Sequence, residues 1–218
     1  TTGTNNTLIG GLAGDAITTG GSNTAVGAYS MTTLTTGANN VSVGTSALDV
    51  ATTGSSNTAI GRDALGANTT ASNNTAVGYQ AGYNNTTGGT AGGFNTFIGR
   101  MAGLNTTGGE NTFVGSSAGT LVSSGQKNTI LGKFDGNAGG LDIRTSSNNI
   151  VLSDGDGNVK FYNNSGDQYL FNTTSLPSAS VQGFGLTGQT IVTSATSTST
   201  REHHQFFNGN GQVGSIKT

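Results

Sequence analysis

The sequence predicts an all-β chain wound into a parallel β-solenoid with 17-residue coils. Three observations carry that expectation: a pentapeptide at a nearly fixed interval, a composition that cannot fill a thick core, and turn residues at the same phase of every interval. Of 218 residues, 32% are hydrophobic and 8% charged, with 38 Gly, 1 Pro, no Cys and no Trp. Bulky apolar side chains are too scarce for a conventional core, while a net charge of −2 is too small to hold the chain open by self-repulsion. Gly, Thr, Asn, Ser and Ala dominate instead, which suits a thin β-structure that turns every few residues.

The pentapeptide Asn-Thr-x-(Ile/Val)-Gly marks each coil. It runs from Asn6 to Gly10, Asn23 to Gly27, Asn40 to Gly44, Asn57 to Gly61, Asn74 to Gly78, Asn95 to Gly99, Asn111 to Gly115 and Asn128 to Gly132. Its Asn positions are 17, 17, 17, 17, 21, 16 and 17 residues apart. The excess before Asn95 falls among Gly88, Gly89, Gly92 and Gly93 and reads as a surface insertion. A 17-residue unit is too short for a helical hairpin and fits one coil of two short strands and two turns. Such rungs bond to their neighbours at about 4.8 Å, so the repeat predicts a rod of about 40 Å.

The columns of the repeat follow from that geometry. Ile9, Val26, Val43, Ile60, Val77, Ile98, Val114 and Leu131 are expected to stack inward as one aliphatic column. The repeated Asn is expected to form an amide ladder, and the Gly to turn the corner where φ is positive or two backbones approach. Ala13, Ser30, Ala47, Ala64, Ala81, Ala102 and Ala118 read as small because the opposite wall comes near. Thr18-Thr19-Gly20, Thr35-Thr36-Gly37 and Thr52-Thr53-Gly54, with Thr69-Thr70, Thr86-Thr87 and Thr106-Thr107 in step, read as turns whose hydroxyls bond local backbone. One column of Val and Ile is a meagre core, so further burial is expected from sister chains in an oligomer.

After Asn128 the pattern fades and returns at 148–171. Ile150-Val151-Leu152 reads as a closing strand, Asp154 to Asn158 as a turn, and Val159 to Tyr162 as the returning strand. Residues 173–200, rich in Ser and Thr and holding Pro177, read as a linker or slender stalk. The end reads as a hairpin: Gln205-Phe206-Phe207, a turn at 208–211, then Gln212 to Ile216. The expected divisions are 1–152 for the solenoid, 153–172 for a capping hairpin and 173–218 for a stalk.

Composition and motifs exclude several function classes. With 8 Lys+Arg there is no basic field to gather nucleic acid phosphates, and no apolar run reaches the length of a membrane span. Without Cys there is no disulfide framework and no thiolate metal site. Asp154-x-Asp156-x-Asn158 begins like a calcium loop, but Val159 and Ser165 stand where that loop needs Gly and Glu, so a plain turn is the reading. Gly183 to Gly188 and Gly209 to Gly214 match G-x-G-x-x-G, yet neither opens a helix. His203 and His204 are the only histidines; in a trimer one of them could point to the axis and three copies could hold a metal, and a surface role is preferred. The carboxylates Asp15, Asp49, Asp63, Glu110, Asp135, Asp142, Asp154, Asp156, Asp167 and Glu202 are scattered over different phases and read as surface charge. No catalytic, metal or cofactor residue is assigned.

Two resemblances follow from these residues. The units Asn-Thr-x-(Ile/Val)-Gly-x-x-Ala over residues 5–135 resemble the head repeats of trimeric autotransporter adhesins of the YadA type. Those heads are left-handed β-rolls associated as trimers; the present coils are longer, with the extra length in the Thr-Thr-Gly turn. The segments at 148–159 and 206–218 resemble the part of phage tail fibres and tailspikes just before a self-cleaving C-terminal chaperone. The resemblance implies a homotrimer, a trimeric β-stalk and a chain released or cut at the GSI-x-T motif; opening on Thr1, the chain reads as a fragment or processed product.

The expected function is host attachment by a phage tail fibre located in the virion, with a bacterial glycan or protein as receptor and other tail proteins as neighbours. The alternatives are a bacterial-surface trimeric adhesin, a polysaccharide-cleaving tailspike and an ice-binding solenoid. Arg62, Asp63, Tyr79, Gln80, Arg100 and Glu110 are candidate contacts because they interrupt the repeat with larger side chains.

Overall fold

The computed structural model describes residues 2–86 and 92–164 together with strands at 168–171, 183–187, 190–194, 202–208 and 211–217; of the last four strands it describes the backbone alone. Eight three-residue strands, β1 (Thr7–Ile9), β2 (Thr24–Val26), β3 (Val41–Val43), β4 (Thr58–Ile60), β5 (Thr75–Val77), β6 (Thr96–Ile98), β7 (Thr112–Val114) and β8 (Thr129–Leu131), stack in parallel in chain order. Each pairs with the next at the same repeat position, so Ala59 lies over Ser42 and Ala76 over Ala59. The described residues are all-β and without helix, and form a parallel β-solenoid of about eight turns.

Each coil carries one strand where two were expected. Beyond the strand, left-handed residues recur at fixed phases, as at Asp63 (φ 58°) and Leu65 (φ 49°), and Ser46 (φ 55°) and Leu48 (φ 50°) one coil earlier. A left-handed residue cannot continue an extended strand, so the second side of the coil bonds to its neighbours through single bent segments. The corner glycines are required twice over. Gly78 has φ +135°, and a Cβ there would lie 2.5 Å from the Gly99 carbonyl oxygen.

The Asn ladder forms as expected and runs one rung further. The backbone N–H groups of Asn23, Asn40, Asn57, Asn74, Asn95, Asn111, Asn128 and Asn149 each donate to the Oδ1 of the Asn one coil earlier, at 2.8–3.0 Å. The side-chain amides of Asn23, Asn40 and Asn111 donate to the carbonyls of Gly37, Gly54 and Gly125 at 2.9–3.0 Å. Asn149 precedes β11 (Ile150–Ser153), which pairs in parallel with β8, and the Tyr162 hydroxyl closes the ladder by donating to Asn149 Oδ1 at 2.9 Å. Burial pushes the Tyr162 phenol above its ordinary pKa. Replacing Asn111 by Ala leaves the Asn128 N–H and the Gly125 carbonyl without partners inside the coil. The expected loss is about 2–4 kcal/mol, read by denaturant unfolding; an unchanged midpoint would remove the ladder from the list of stabilising features.

The aliphatic column is the main correction. Ile9, Val26, Val43, Ile60, Val77, Ile98, Val114 and Leu131 stack in register, but they face out of the coil: Ile9 is 58%, Ile98 41% and Leu131 42% exposed. The interior takes the middle residue of strands β2 to β8 instead: Ala25, Ser42, Ala59, Ala76, Phe97, Phe113 and Ile130. The Asn sets the phase. It is buried, side chains alternate along a strand, so the residue two later is inward and the Ile or Val three later is outward.

Size is matched across the narrow interior. Ala25, Ser42 and Ala59 face coils that supply buried Met31, Leu48 and Leu65, whereas Phe97 and Phe113 face coils with Gly103 and Gly119 at that position. A Cβ at Gly103 would sit on the Phe97 ring, and one at Gly119 on the Phe113 ring. Ser30 and Ser42, the polar members of their two columns, bond each other at 2.7 Å. The small column, Ala47 to Ala118, is fully buried as expected.

After β8, a short antiparallel pair, β9 (Asn137–Ala138) and β10 (Leu141–Asp142), precedes β11. The chain then reverses: β12 (Val159–Asn163) pairs antiparallel with β11, and β13 (Gln168–Phe171), β14 (Gly183–Thr187) and β15 (Thr190–Ser194) extend that sheet antiparallel. The final hairpin is present, with β16 (Glu202–Asn208) against β17 (Gly211–Lys217). The Gly88-Gly89 part of the insertion, Pro177 with the rest of the linker at 172–182 and 195–200, and the 209–210 turn lie outside the described residues.

Candidate functional site

Two outer surfaces of the solenoid depart from its regular polar coat. The first is the strand face, where the outward Val/Ile column runs beside a column of Thr24, Val41, Thr58, Thr75, Thr96, Thr112 and Thr129. The second lies past the Gly corner on coils three to six, where the repeat admits large side chains.

Arg62, Tyr79 and Arg100 each follow a corner Gly and therefore hold equivalent places on successive coils; all three are exposed. Gln80 donates its N–H to the Arg62 carbonyl at 3.0 Å and Met101 to the Tyr79 carbonyl at 2.8 Å, which locks the stack. The Arg62 guanidinium sits 4.9 Å from the Tyr79 ring centroid. Its Nη2 donates to Tyr79 Oη at 3.2 Å and its Nε to Asp63 Oδ2 at 3.1 Å. An exposed pair of this kind adds at most about 1 kcal/mol to stability, so it orders the surface more than it holds the fold. Of the six expected contacts, the structure thus brings Arg62, Asp63 and Tyr79 together. Arg100 stands one coil on and Gln80 on the neighbouring column. Glu110 sits apart, at a left-handed corner before the ladder Asn (φ 61°).

Beside Asp63 opens a groove of about 280 Å³, lined by Ser46, Asp49, Val50, Asp63, Gly66, Ala67 and Tyr83. The carboxylates are scattered along the sequence, yet Asp49 and Asp63 share this groove because positions 49 and 63 meet across adjacent coils. Equivalent positions 49, 66 and 83 hold Asp, Gly and Tyr, so the absent side chain at Gly66 leaves a gap between two large ones. Reading each column for its interruptions would have found it.

The Asp154 turn is a turn, as expected. Asp154 Oδ1 accepts from the N–H of Asp156 at 3.0 Å and of Asn158 at 2.9 Å, and Oδ2 pairs with Lys160 at 3.2 Å. These donors, Asn158 foremost, hold its carboxyl well below the usual range. Asp142 is held down to about 2, first by the Arg144 guanidinium, which donates at 2.9 and 2.7 Å. Among the described residues no three of His, Cys, Asp and Glu cluster as metal ligands. The side chains of His203, His204 and Glu202, and all of Ser165 and Asp167, lie outside the described residues.

The first Thr of each Thr-Thr step bonds the next coil. Thr18, Thr35 and Thr52 donate their hydroxyls to the carbonyls of Thr35, Thr52 and Thr69 at 3.0–3.1 Å, so the hydroxyls serve the backbone between coils rather than within one turn. Among the described residues no helix is long and apolar enough to cross a membrane. Compared with known proteins, the chain matches no family model, no curated protein and no solved structure.

Proposed function

We propose that this chain is the host-attachment part of a homotrimeric phage tail fibre, which binds a bacterial surface through the polar flanks of its solenoid. The observation that carries the reading is the outward aliphatic stripe from Ile9 to Leu131, continued by Leu152 on β11. A contiguous apolar ridge of this kind marks an interaction surface. Three copies about an axis parallel to the rod would cover it with one repeated, self-consistent contact. Fully burying one exposed Val or Ile brings about 1.5–3 kcal/mol. Resemblance of the final hairpin to pre-chaperone fibre segments favours a tail fibre over a cell-anchored adhesin.

Light scattering after size exclusion, on the whole chain, tests the assembly. The expected mass is three times that of one chain and is retained on dilution, with adhesion to bacterial cells as the following measurement. Release of reducing sugar from host polysaccharide would move the assignment to a tailspike enzyme. A second reading has its own observation: the Thr column beside the Val/Ile column forms a grid in parallel register from coil to coil. A folded monomer would leave that grid uncovered and overturn the trimer, and thermal hysteresis would then test ice binding.

A further inference from the structure

We propose that the groove between Asp49, Asp63 and Tyr83 is a binding subsite for one neutral pyranose unit of a cell-surface glycan; this rests on the attachment reading above and names its ligand class. The groove runs between two side-chain columns. One is Ser46 and Asp63, equivalent positions of coils three and four, and the other is Asp49, Gly66 and Tyr83 on coils three to five. Gly66 supplies no side chain, and a Cβ there would lie 2.8 Å from Tyr83 Cε2, so the Tyr83 ring leans into the gap and forms a wall. A single coil with a bulky residue at position 66 would close the space.

The polar groups are arranged to accept hydrogen bonds. Asp63 lines the groove, and Arg62 engages it through Oδ2, at 3.1 Å from Nε, which leaves Oδ1 out of that ion pair. Asp49 has no ion-pair partner among the described residues, and its backbone is fixed by accepting from Thr33. Carboxylates that accept from hydroxyls make short, charge-assisted bonds. A pyranose presents adjacent hydroxyl donors on its rim and a C–H face that packs on an aromatic ring, which is the pairing two carboxylates and Tyr83 offer. An acidic sugar meets two carboxylates against one guanidinium and is repelled. The volume of about 280 Å³ lies just under the about 300–1,000 Å³ of drug-sized pockets, so it suits a single ring rather than a polymer segment. One such open subsite binds weakly, and repetition over several chains supplies avidity.

Saturation-transfer NMR on the whole chain tests this with methyl β-glucopyranoside, methyl β-galactopyranoside, methyl α-mannopyranoside and glucuronate as probes. At least one neutral glycoside is expected to show transfer with a millimolar Kd, and glucuronate none. Asp49→Asn, which is isosteric and breaks no described bond, is expected to raise Kd about tenfold or more. Tyr83→Phe retains binding and Tyr83→Ala loses it. Transfer to no neutral glycoside, or transfer unchanged in Asp49→Asn, overturns the subsite. Adhesion to a panel of bacterial strains separates the two readings. Cells bound equally by wild type and Asp49→Asn remove the subsite and leave attachment standing. Saturation transfer without adhesion by the wild type removes attachment and leaves a sugar site.

Discussion

Phe113→Ala is expected to lower the stability of the solenoid by about 3–5 kcal/mol, because it empties a fully buried ring from a coil whose other large interior side chain is Val122. The partner position explains the severity: Gly119 has no side chain to collapse into the space. A compensating double variant follows from the other coils. Coil four combines Ala59 with Leu65, so Phe113→Ala with Gly119→Leu rebuilds that pairing at coil seven. Gly119 has φ +62° and Leu65 φ +49°, so the column already tolerates a left-handed Leu. Left-handed backbone costs about 1–2 kcal/mol, while burying a Leu gives about 1.5–3 kcal/mol, so burial wins. The double variant should recover at least half of the loss in a urea or thermal melt. A single variant that melts with the wild type would mean that the ring is not part of the core.

Ile60→Asp together with Ile98→Asp should reduce the native mass from three chains to one while the circular dichroism of the coil survives. Both side chains lie outside the coil and contribute little to its interior. In a trimer, by contrast, six carboxylates would have to be desolvated near one axis, at several kcal/mol each. A mass that stays at three chains would place the contact on another face. Loss of the β-signal together with the mass would instead show that the coil needs its sisters in order to fold.

Much of this architecture was legible in the chain itself. The interval between Asn residues set the rung count and the register, since any slip would break the side-chain ladder at every coil. The corner Gly was legible because no residue with a Cβ fits φ near +135° against the next carbonyl. Asn149 carried the same signal but escaped the repeat because Ile150 to Ser153 follow it, without the Thr or the corner Gly of the pentapeptide. The hairpins of β11 with β12 and of β16 with β17 could be read from apolar runs on either side of Gly- and Asp-rich turns.

The direction of the Val/Ile column was open to inference, yet its regularity suggested the interior. A buried Asn and an inward residue three places later cannot share one strand, because alternation puts them on opposite faces. The inward position varies from Ala to Phe, and this variety looks like a surface until each residue is set beside its partner across the coil. Met31, Leu48 and Leu65 complement small neighbours, and Gly103 and Gly119 complement rings. Sequence therefore determined the period, the register and the corners, which depend on local backbone and on identical residues one coil apart. Only the tertiary structure decided which face is inside and where Asp49, Asp63 and Tyr83 meet, because both depend on contacts across the coil between positions that do not repeat.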